Sequence, residues 1–433
     1  MSQTGNKTGN KTEKKSAEEI QNELQTARAR SVEQTVREIV DEVRTNGDQG
    51  LKKLITGFGD MLIPGFKLSP EQIEAEIAKV SADTKKSIGY AHDNIKAFAE
   101  AVMRNARPIK LDHGEFTTGL EFRPVQRVGC YVPGGRYPLP STALMTTITA
   151  RVAGVEEIVV ATPALCPESI YAASLSGVTE IYILGGAQAV AALALGTESI
   201  QKVDMVVGPG NLYVTEAKRQ LLGEIGIDML AGPSEIAVIA DDTASARWLA
   251  LDLVSQAEHG EDARAILLTP SQALADAVKA ELENLATELN ENLESLNSQV
   301  TLTVLPSIEA CIEKCNELAP EHLEIHTDNP DNLKPQLKHY GTILLGSLST
   351  VPYGDYAAGP NHTLPTNKAA RFSGALNPFT FLRAQTWLKV NAGASELPTN
   401  TMALAEVEGL RVHKMAAEAR LNCLPSSNDD SHT

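Results

Sequence analysis

From about residue 17 to 108, apolar positions repeat with the spacing of an α-helix. One apolar face consists of four residues three or four positions apart, Val36, Ile39, Val40 and Val43. This spacing predicts a helix that buries that face. Further along, Ser69 is suited to cap a helix, with Pro70 at its first position and Gln72 completing a capping box. We therefore predict a helical N-terminal region over residues 17–120.

From about residue 121 the pattern changes to short apolar runs, each followed by a glycine or proline turn and an alanine-rich helix. EIVVATP precedes ESIYAASLSG, EIYILGG precedes AQAVAALALG, and KVDMVVGPG precedes NLYVTEAKRQLLG. A second series begins with SEIAVIADD and continues through ARAILLTP and VTLTVLP. Such repeats are typical of buried parallel sheets. The predicted fold is α/β, with two doubly wound parallel-sheet modules, incomplete and Rossmann-like, over residues 121–233 and 234–375.

The two ends of the chain follow neither pattern. Residues 1–16 repeat Thr-Gly-Asn-Lys without an apolar core, which indicates a disordered tail and not a signal peptide. Residues 376–433 lose the strand–helix rhythm and finish in EVEGLRVHKMAAEARL, which we interpret as one charged helix. We expect this extended C-terminal tail to dock onto another subunit.

The overall charge restricts the partners of the protein. The 433 residues include 38 basic and 55 acidic side chains, a net charge of −17, which argues against nucleic acid or an anionic membrane surface. The longest apolar run, residues 181–196, contains glycines and is too short to span a bilayer. Five cysteines form neither a disulfide framework nor a zinc-site spacing. We expect a cytoplasmic protein with reduced thiols.

Three glycine turns of the first module connect a strand to a helix. They are Gly134-Gly135, Gly185-Gly186 and Gly208-Pro209-Gly210. Free N–H groups and the dipole at a helix N-terminus favour an anion such as a pyrophosphate. A single turn of this kind is more often a plain connection, but three in one module favour a nucleotide. Its ring or ribose would contact residues beside the turns: Tyr131, Gln188 and Asn211.

Several polar residues of the second module and the tail are candidate metal ligands. Gln256 and His259 are three apart in SQAEHG and share a helix face. Asp355 lies in YGDYAAGPNHTLPT, which has too little periodicity for a helix or strand, and Glu408 and His413 begin the last helix. Each could simply face solvent or cap a turn. Together, Gln256, His259, Asp355 and His413 form a nitrogen and oxygen set suited to catalytic zinc.

The segment ELAPEHLEIH places an acid, Glu321, directly beside a base, His322. Neighbouring residues in a helix or strand point in different directions, so an ordinary surface ion pair does not explain them. We interpret the dipeptide, in a non-repetitive turn after Pro320, as two groups with separate proton-transfer roles at one site.

These segments resemble the histidinol dehydrogenase family over about residues 30–422. The similarity is carried by YVPGGRYPLPSTALM, GGAQA, GPGNLYVTEAKR, AGPSE, DLVSQAEHG, APEHLEI, GDYAAGPNHTLPT and EGLRVHK, in this order. The resemblance implies an enzyme that oxidises L-histidinol to L-histidine through the aldehyde L-histidinal, with one zinc ion per subunit and two NAD⁺. This reaction is the last step of histidine biosynthesis. The resemblance also implies a homodimer whose C-terminal tail completes the partner's site.

The resemblance assigns roles to residues of this chain. The metal ligands are Gln256, His259, Asp355 and His413, and the catalytic pair is Glu321 and His322. The nucleotide contacts are Tyr131, Gln188 and Asn211. The substrate contacts are Ser234 and Glu408, joined by Gln256, His259, His322, Asp355 and His413, and His362 lines the pocket. In this scheme zinc polarises the substrate oxygen, His322 takes the alcohol proton, and Glu321 deprotonates the water that adds to the aldehyde.

Other functions remain open at this point. The stretch GALNPFTFLRAQTWLKV departs from the usual family pattern and resembles relatives that oxidise other primary alcohols, including sulfonated diols. Ser234 and Glu408 favour histidinol, because they suit a cationic, imidazole-bearing substrate. The same metal site could serve a zinc hydrolase with Glu321 activating water. A nucleotide-binding module without catalysis is the third possibility.

Overall fold

The N-terminal part is helical, as its pattern predicts. This computed structural model describes residues 17–134, 138–290 and 298–421. The helices are α1 (Ala17–Phe58), α2 (Pro70–Lys79) and α3 (Ala82–Met103). The capping box at Ser69 is present, and the four apolar residues of α1 are buried. Helix α1 kinks at Gly47, whose φ of 50° lies in the left-handed region.

The first module contains a parallel sheet of five strands, in the order β5-β4-β3-β6-β7. The strands are β3 (Arg127–Tyr131), β4 (Glu157–Thr162), β5 (Glu180–Ile183), β6 (Met205–Val207) and β7 (Gly226–Ile227). The helices are α4 (Pro140–Val152), α5 (Pro167–Leu175), α6 (Gly186–Leu195) and α7 (Leu212–Leu221). Helices α1, α6 and α7 cover one face of the sheet, and α3, α4 and α5 cover the other.

The second module repeats this arrangement in the order β10-β9-β8-β11-β12. Its strands are β8 (Glu235–Ala240), β9 (Arg264–Thr269), β10 (Val300–Val304), β11 (His322–His326) and β12 (Thr342–Leu345). Its helices are α8 (Ala246–Ala257), α9 (Gln272–Leu289), α10 (Ile308–Leu318), α11 (Pro330–Leu333) and α12 (Val351–Tyr356). Strand order reverses between β3 and β6 and between β8 and β11, as in doubly wound sheets. The predicted α/β fold with two parallel sheets is confirmed.

A third sheet joins the two ends of the chain. It pairs β1 (Ile109–Asp112), β2 (Phe116–Pro124) and β13 (Leu382–Val390), all antiparallel. Strands β1 and β2 fall in the stretch we assigned to helix, so that assignment is wrong from residue 109 onward. Their partner β13 comes from the other end of the chain, and no local pattern reveals it. Gly119 makes the pairing possible, because a Cβ there would lie 2.2 Å from the ring of Trp387.

Up to residue 421, where the described part of the C-terminal tail ends, the tail contains two α-helices, α13 (Glu396–Val407) and α14 (Arg411–Glu418). The segment that we predicted as a single helix is therefore divided between them. Gly409 separates them with a φ of 73°, the left-handed conformation that commonly ends a helix. The N-terminus of α13 is tied to the turn between β1 and β2. The carboxylate of Glu115 accepts hydrogen bonds from three backbone N–H groups, those of Ser395, Glu396 and Leu397. Within the described ranges, no helix has the length and apolarity needed to cross a membrane.

Candidate active site

The acid–base pair lies at the amino edge of the second sheet, where β11 begins. Glu321 directly precedes β11, and His322 is the first residue of that strand. We predicted that both residues lie in a non-repetitive turn, but this holds only for Glu321, because His322 belongs to the strand. Helix α10 ends at Ala319 in a left-handed conformation, with a φ of 49°. Gly341 packs closely against the pair, because a Cβ there would lie 2.5 Å from the backbone oxygen of Glu321.

Glu321 is buried, and one of its two oxygens is engaged. Its Oε2 accepts hydrogen bonds from the hydroxyl of Ser234 at 2.6 Å and the backbone N–H of Glu235 at 2.9 Å. Burial raises the pKa of Glu321 to about 8, and the charges of Asp355 and Glu235 add to this effect. The two hydrogen bonds act in the opposite direction. Glu321 is therefore a carboxyl group that gains and loses its proton near neutral pH.

His322 is a buried imidazole surrounded by ionisable groups. Its Nε2 lies 3.8 Å from Oε1 of Glu321 and 4.0 Å from Oδ1 of Asp355. Its Nδ1 has no hydrogen-bond partner among the described residues. Burial lowers the pKa of His322 to about 3, with further contributions from His259 and His362. The ring is therefore neutral at physiological pH and has a lone pair that can accept a proton.

The predicted metal ligands differ in their surroundings. Gln256 is fully buried on α8, yet neither atom of its amide has a hydrogen-bond partner among the described residues. A buried amide without partners is costly unless another group, such as a cation, completes its coordination. His259 follows the end of α8 and keeps solvent access, while nearby atoms desolvate its ring and lower its pKa. These donors fit zinc in type and environment.

We predicted that Asp355 lies in a loop, but it lies on the short helix α12. A helix of six residues is too short to show a helical repeat in the sequence. Burial raises the pKa of Asp355 to about 7. Its backbone oxygen lies 2.8 Å from Nδ1 of His362, whose Nε2 lies 3.2 Å from the hydroxyl of Thr142. Because Thr142 belongs to α4, the site lies where the two modules meet.

The predicted nucleotide contacts lie at the carboxyl edge of the first sheet. The hydroxyl of Tyr131 accepts a hydrogen bond from the N–H of Gly186 at 3.1 Å. Gln188 is buried and donates to a carboxylate oxygen of Asp60 at 3.1 Å. Asn211 caps α7 through its side-chain oxygen. The sequence reasoning missed Asp60, which follows α1 and reaches this site from outside the module.

The single chain does not bring two of the predicted residues to this site. Glu408 and His413 are exposed on the C-terminal tail, and within the described ranges no contact joins either of them to Glu321 or His322. In the part of the chain that the structure describes, another group of side chains has ligand atoms close enough together to hold a metal ion. It consists of Asp252, Glu324 and His326, none of which we predicted as a ligand.

Comparisons with known proteins agree in one family. The histidinol dehydrogenase family model matches residues 22–421. The chain is 42% identical over 405 residues to the histidinol dehydrogenase of Methanocaldococcus jannaschii, covering 91% of this chain and 94% of the relative. It is 42% identical over 398 residues to that of Bacillus anthracis, covering 90% and 92%. A crystal structure of histidinol dehydrogenase from Elizabethkingia anophelis superposes with a TM-score of 0.83 at 35% identity, covering 94% and 93%.

Proposed function

Because the chain belongs to the histidinol dehydrogenase family, we propose that it oxidises L-histidinol to L-histidine through L-histidinal, with zinc and two NAD⁺, at the end of histidine biosynthesis. The main support is the buried Glu321–His322 pair at the junction of the two modules. Burial favours the neutral forms of both side chains. Asp355 lies within 4.0 Å of the imidazole. This pairing suits an oxidation that needs two different proton transfers.

The metal site of the proposal consists of Gln256, His259, Asp355 and His413. The unpartnered amide of Gln256 is the structural observation that favours it. When bound, zinc supplies Lewis acidity that lowers the pKa of the substrate alcohol. Asp355, with its pKa raised by burial, would gain a counter-charge there.

His322 is proposed to accept the proton of the alcohol as hydride leaves for the nicotinamide. Its ring is neutral, so the proton can be accepted. Ionisation of Glu321, 3.8 Å away, would raise the basicity of the imidazole. The cofactor performs the redox chemistry, and the side chains hold the reacting groups and move protons.

Glu321 is proposed to deprotonate the water that adds to the aldehyde. Its Oε2 is held by Ser234 and Glu235, so Oε1 is the oxygen oriented toward His322. The raised pKa makes this carboxylate a stronger base than an exposed one. Ser234 would also contact the substrate, as Glu408 would from the tail.

We further propose a homodimer in which each tail supplies Glu408 and His413 to its partner. The tail helices expose Leu404, Val407 and Val412 to 65%, 86% and 75%. Apolar side chains this exposed are typical of a subunit interface. In such a dimer, His413 of one chain would reach the metal site of its partner. A cytoplasmic location, with reduced thiols, belongs to this proposal.

One observation bears on the choice between histidinol and another primary alcohol. The second half of the stretch that departs from the family pattern forms β13 (Leu382–Val390), where Trp387 packs over Gly119 in the third sheet. Its unusual residues therefore have a structural role in the pairing of β2 and β13. They do not by themselves indicate a changed substrate pocket.

NADH formation separates the candidate functions. Purified protein is supplied with NAD⁺ and L-histidinol, then treated with a chelator and finally with zinc. We expect NADH to form, to stop with the chelator and to return with zinc. A panel of other primary alcohols, including a sulfonated diol, should give slower turnover. Hydrolytic turnover without NAD⁺ would support a hydrolase, and NAD⁺ binding without any turnover would support a binding module.

A further inference from the structure

Three buried ionisable side chains form a cluster on two elements, α8 and β11, that also carry residues of the candidate active site. Asp252 lies on α8, and Glu324 and His326 lie on β11, with one donor atom of each within 4.8 Å of the others. Nε2 of His326 is 3.2 Å from Oε2 of Glu324 and 3.8 Å from Oδ2 of Asp252. Their exposures are 8% for Asp252, 0% for Glu324 and 1% for His326. We call these three residues the buried hub.

The hub holds the start of helix α12. Oε1 of Glu324 accepts a hydrogen bond of 2.8 Å from the backbone N–H of Val351, the first residue of α12. Oδ1 of Asp252 accepts a hydrogen bond of 2.7 Å from the hydroxyl of Thr350, which immediately precedes that helix. Two elements of the second module, α8 and β11, thus fix a third through hydrogen bonds to side-chain oxygens.

Each of the three elements, α8, β11 and α12, carries one residue of the candidate site within four positions of a residue that belongs to the hub or is bound by it. On α8, Gln256 is one turn after Asp252. On β11, His322 is two positions before Glu324, so both point to the same face of the strand. On α12, Asp355 is one turn after Val351. A shift of any hub contact would therefore move a residue of the site relative to the other two.

We propose that the buried hub of Asp252, Glu324 and His326 positions Gln256, His322 and Asp355 relative to one another. The hub residues touch neither substrate nor cofactor in this account, so they are positioning residues. The inference rests on the proposed function for its consequence in catalysis. The anchoring of α12 itself is independent of that function.

Two features favour positioning over a second metal site. The hub oxygens that face α12 already accept hydrogen bonds from Thr350 and Val351, and Oε2 of Glu324 faces His326. Burial, then the charge of Glu324, raises the pKa of Asp252 well above its usual range. Asp252 therefore tends to keep its proton near neutral pH. Apolar residues would fill this space at lower desolvation cost, so the polar contacts indicate a need for defined geometry.

The test compares Glu324→Ala with Glu324→Gln, which keeps an acceptor for the N–H of Val351. Leu282→Ala is the matched control, because Leu282 is buried in the same module on α9 and belongs to no hub contact. Thr350→Val removes the hydroxyl that donates to Asp252, and it serves if Glu324→Ala does not fold. Three quantities are measured on the full chain: amide hydrogen exchange over residues 351–356 without metal, zinc affinity by competition with a chelator, and NAD⁺ affinity.

For Glu324→Ala we expect faster exchange over 351–356 and zinc affinity lower by about 10- to 100-fold, the range seen when an outer partner of a ligand is lost. NAD⁺ affinity should not change, because the hub lies in the second module. Glu324→Gln should recover most of both losses. Thr350→Val should change exchange and zinc affinity in the same direction as Glu324→Ala, and Leu282→Ala should change neither.

Several results would overturn the inference. Equal effects of Glu324→Ala and Leu282→Ala would make the hub an ordinary part of the core. Faster exchange over 351–356 with unchanged zinc affinity would show anchoring without positioning. A second zinc equivalent that disappears in Glu324→Ala would make the cluster a metal site. A wild-type chain that binds no zinc would contradict the proposed function. Unchanged exchange over 351–356 in Glu324→Ala would contradict the hub whether or not zinc binds.

Discussion

At the scale of single residues, burial pushes neighbouring acids and bases toward their neutral forms. It raises the pKa of Glu321 to about 8 and lowers that of His322 to about 3. In the metal-free chain near neutral pH, the acid therefore tends to keep its proton and the imidazole lacks one. A pair of this kind can exchange a proton with a substrate without a large change of net charge in a buried space.

The two members of the pair should fail at different steps. His322→Asn should slow the oxidation of L-histidinol by about 10²- to 10⁴-fold, because the alcohol loses its proton acceptor. Glu321→Gln should slow oxidation of L-histidinal more than oxidation of L-histidinol. Rates are measured separately with each substrate. Equal losses at both steps in Glu321→Gln would contradict this division of roles.

Gln256 should matter for stability only when zinc is bound. In the metal-free chain its amide is buried without partners, so Gln256→Ala removes a desolvation penalty of about 1–3 kcal/mol and offsets much of the cavity it creates. With zinc, the variant should lose the stabilisation that the ligand provides. Thermal unfolding with and without zinc checks this. Val254→Ala, a buried apolar change on α8, should destabilise both forms equally.

The raised pKa of Glu321 predicts how stability varies with pH. The unfolded chain releases this proton near the ordinary value of 4.5, whereas the folded chain keeps it up to about 8. The folded state therefore binds more protons between these limits, so its stability falls as pH rises through them. Denaturant unfolding of metal-free protein should show a steeper decline from pH 4.5 to 8 in wild type than in Glu321→Gln. Parallel curves would contradict the assigned shift.

At the scale of elements, local patterns predicted what depends on local sequence. The strand–helix units and the capping box at Ser69 each show their signal within a few residues. The pairing of β2 with β13 does not, because its partners lie at opposite ends of the chain. Helix α12 is too short to show a period, and Asp60 reaches Gln188 from another region. The candidate site residues were identified through motifs. The hub was missed because Asp252, Glu324 and His326 follow the ordinary patterns of strand and helix positions.

Glu115 should control how firmly the tail is attached. The backbone N–H groups of Glu396, Leu397 and Ser395 hold the pKa of its carboxyl at about 2. The tether is therefore fully formed above pH 4.5 and is lost as pH falls toward about 2. Glu115→Ala should speed amide exchange at the start of α13 at neutral pH. Glu115→Gln keeps one acceptor and should have a smaller effect, and unchanged exchange in Glu115→Ala would show that the tether is dispensable.

At the scale of the whole molecule, the candidate nucleotide contacts and the acid–base pair lie at opposite edges of their respective sheets. The turns Gly185-Gly186 and Gly208-Pro209-Gly210 lie at the carboxyl edge of the first sheet, where doubly wound sheets bind nucleotides. Glu321 and His322 lie at the amino edge of the second sheet, because β11 begins there. Helix α8 runs back beside the strands and brings Gln256 and His259 to the same edge. His362 bridges the modules through Thr142. In the proposed reaction the hydride passes between the modules, and the tail of the partner completes the site.

One measurement tests this account most directly, with chains of His322→Asn and chains of His413→Ala. Each variant should be inactive alone with L-histidinol and NAD⁺. After the two are mixed and allowed to exchange subunits, half of the dimers are mixed, and each mixed dimer has one intact site. NADH formation should then return to about a quarter of the wild-type rate. No recovery, with subunit exchange verified by mass, would contradict a site built from the second module of one chain and the tail of its partner.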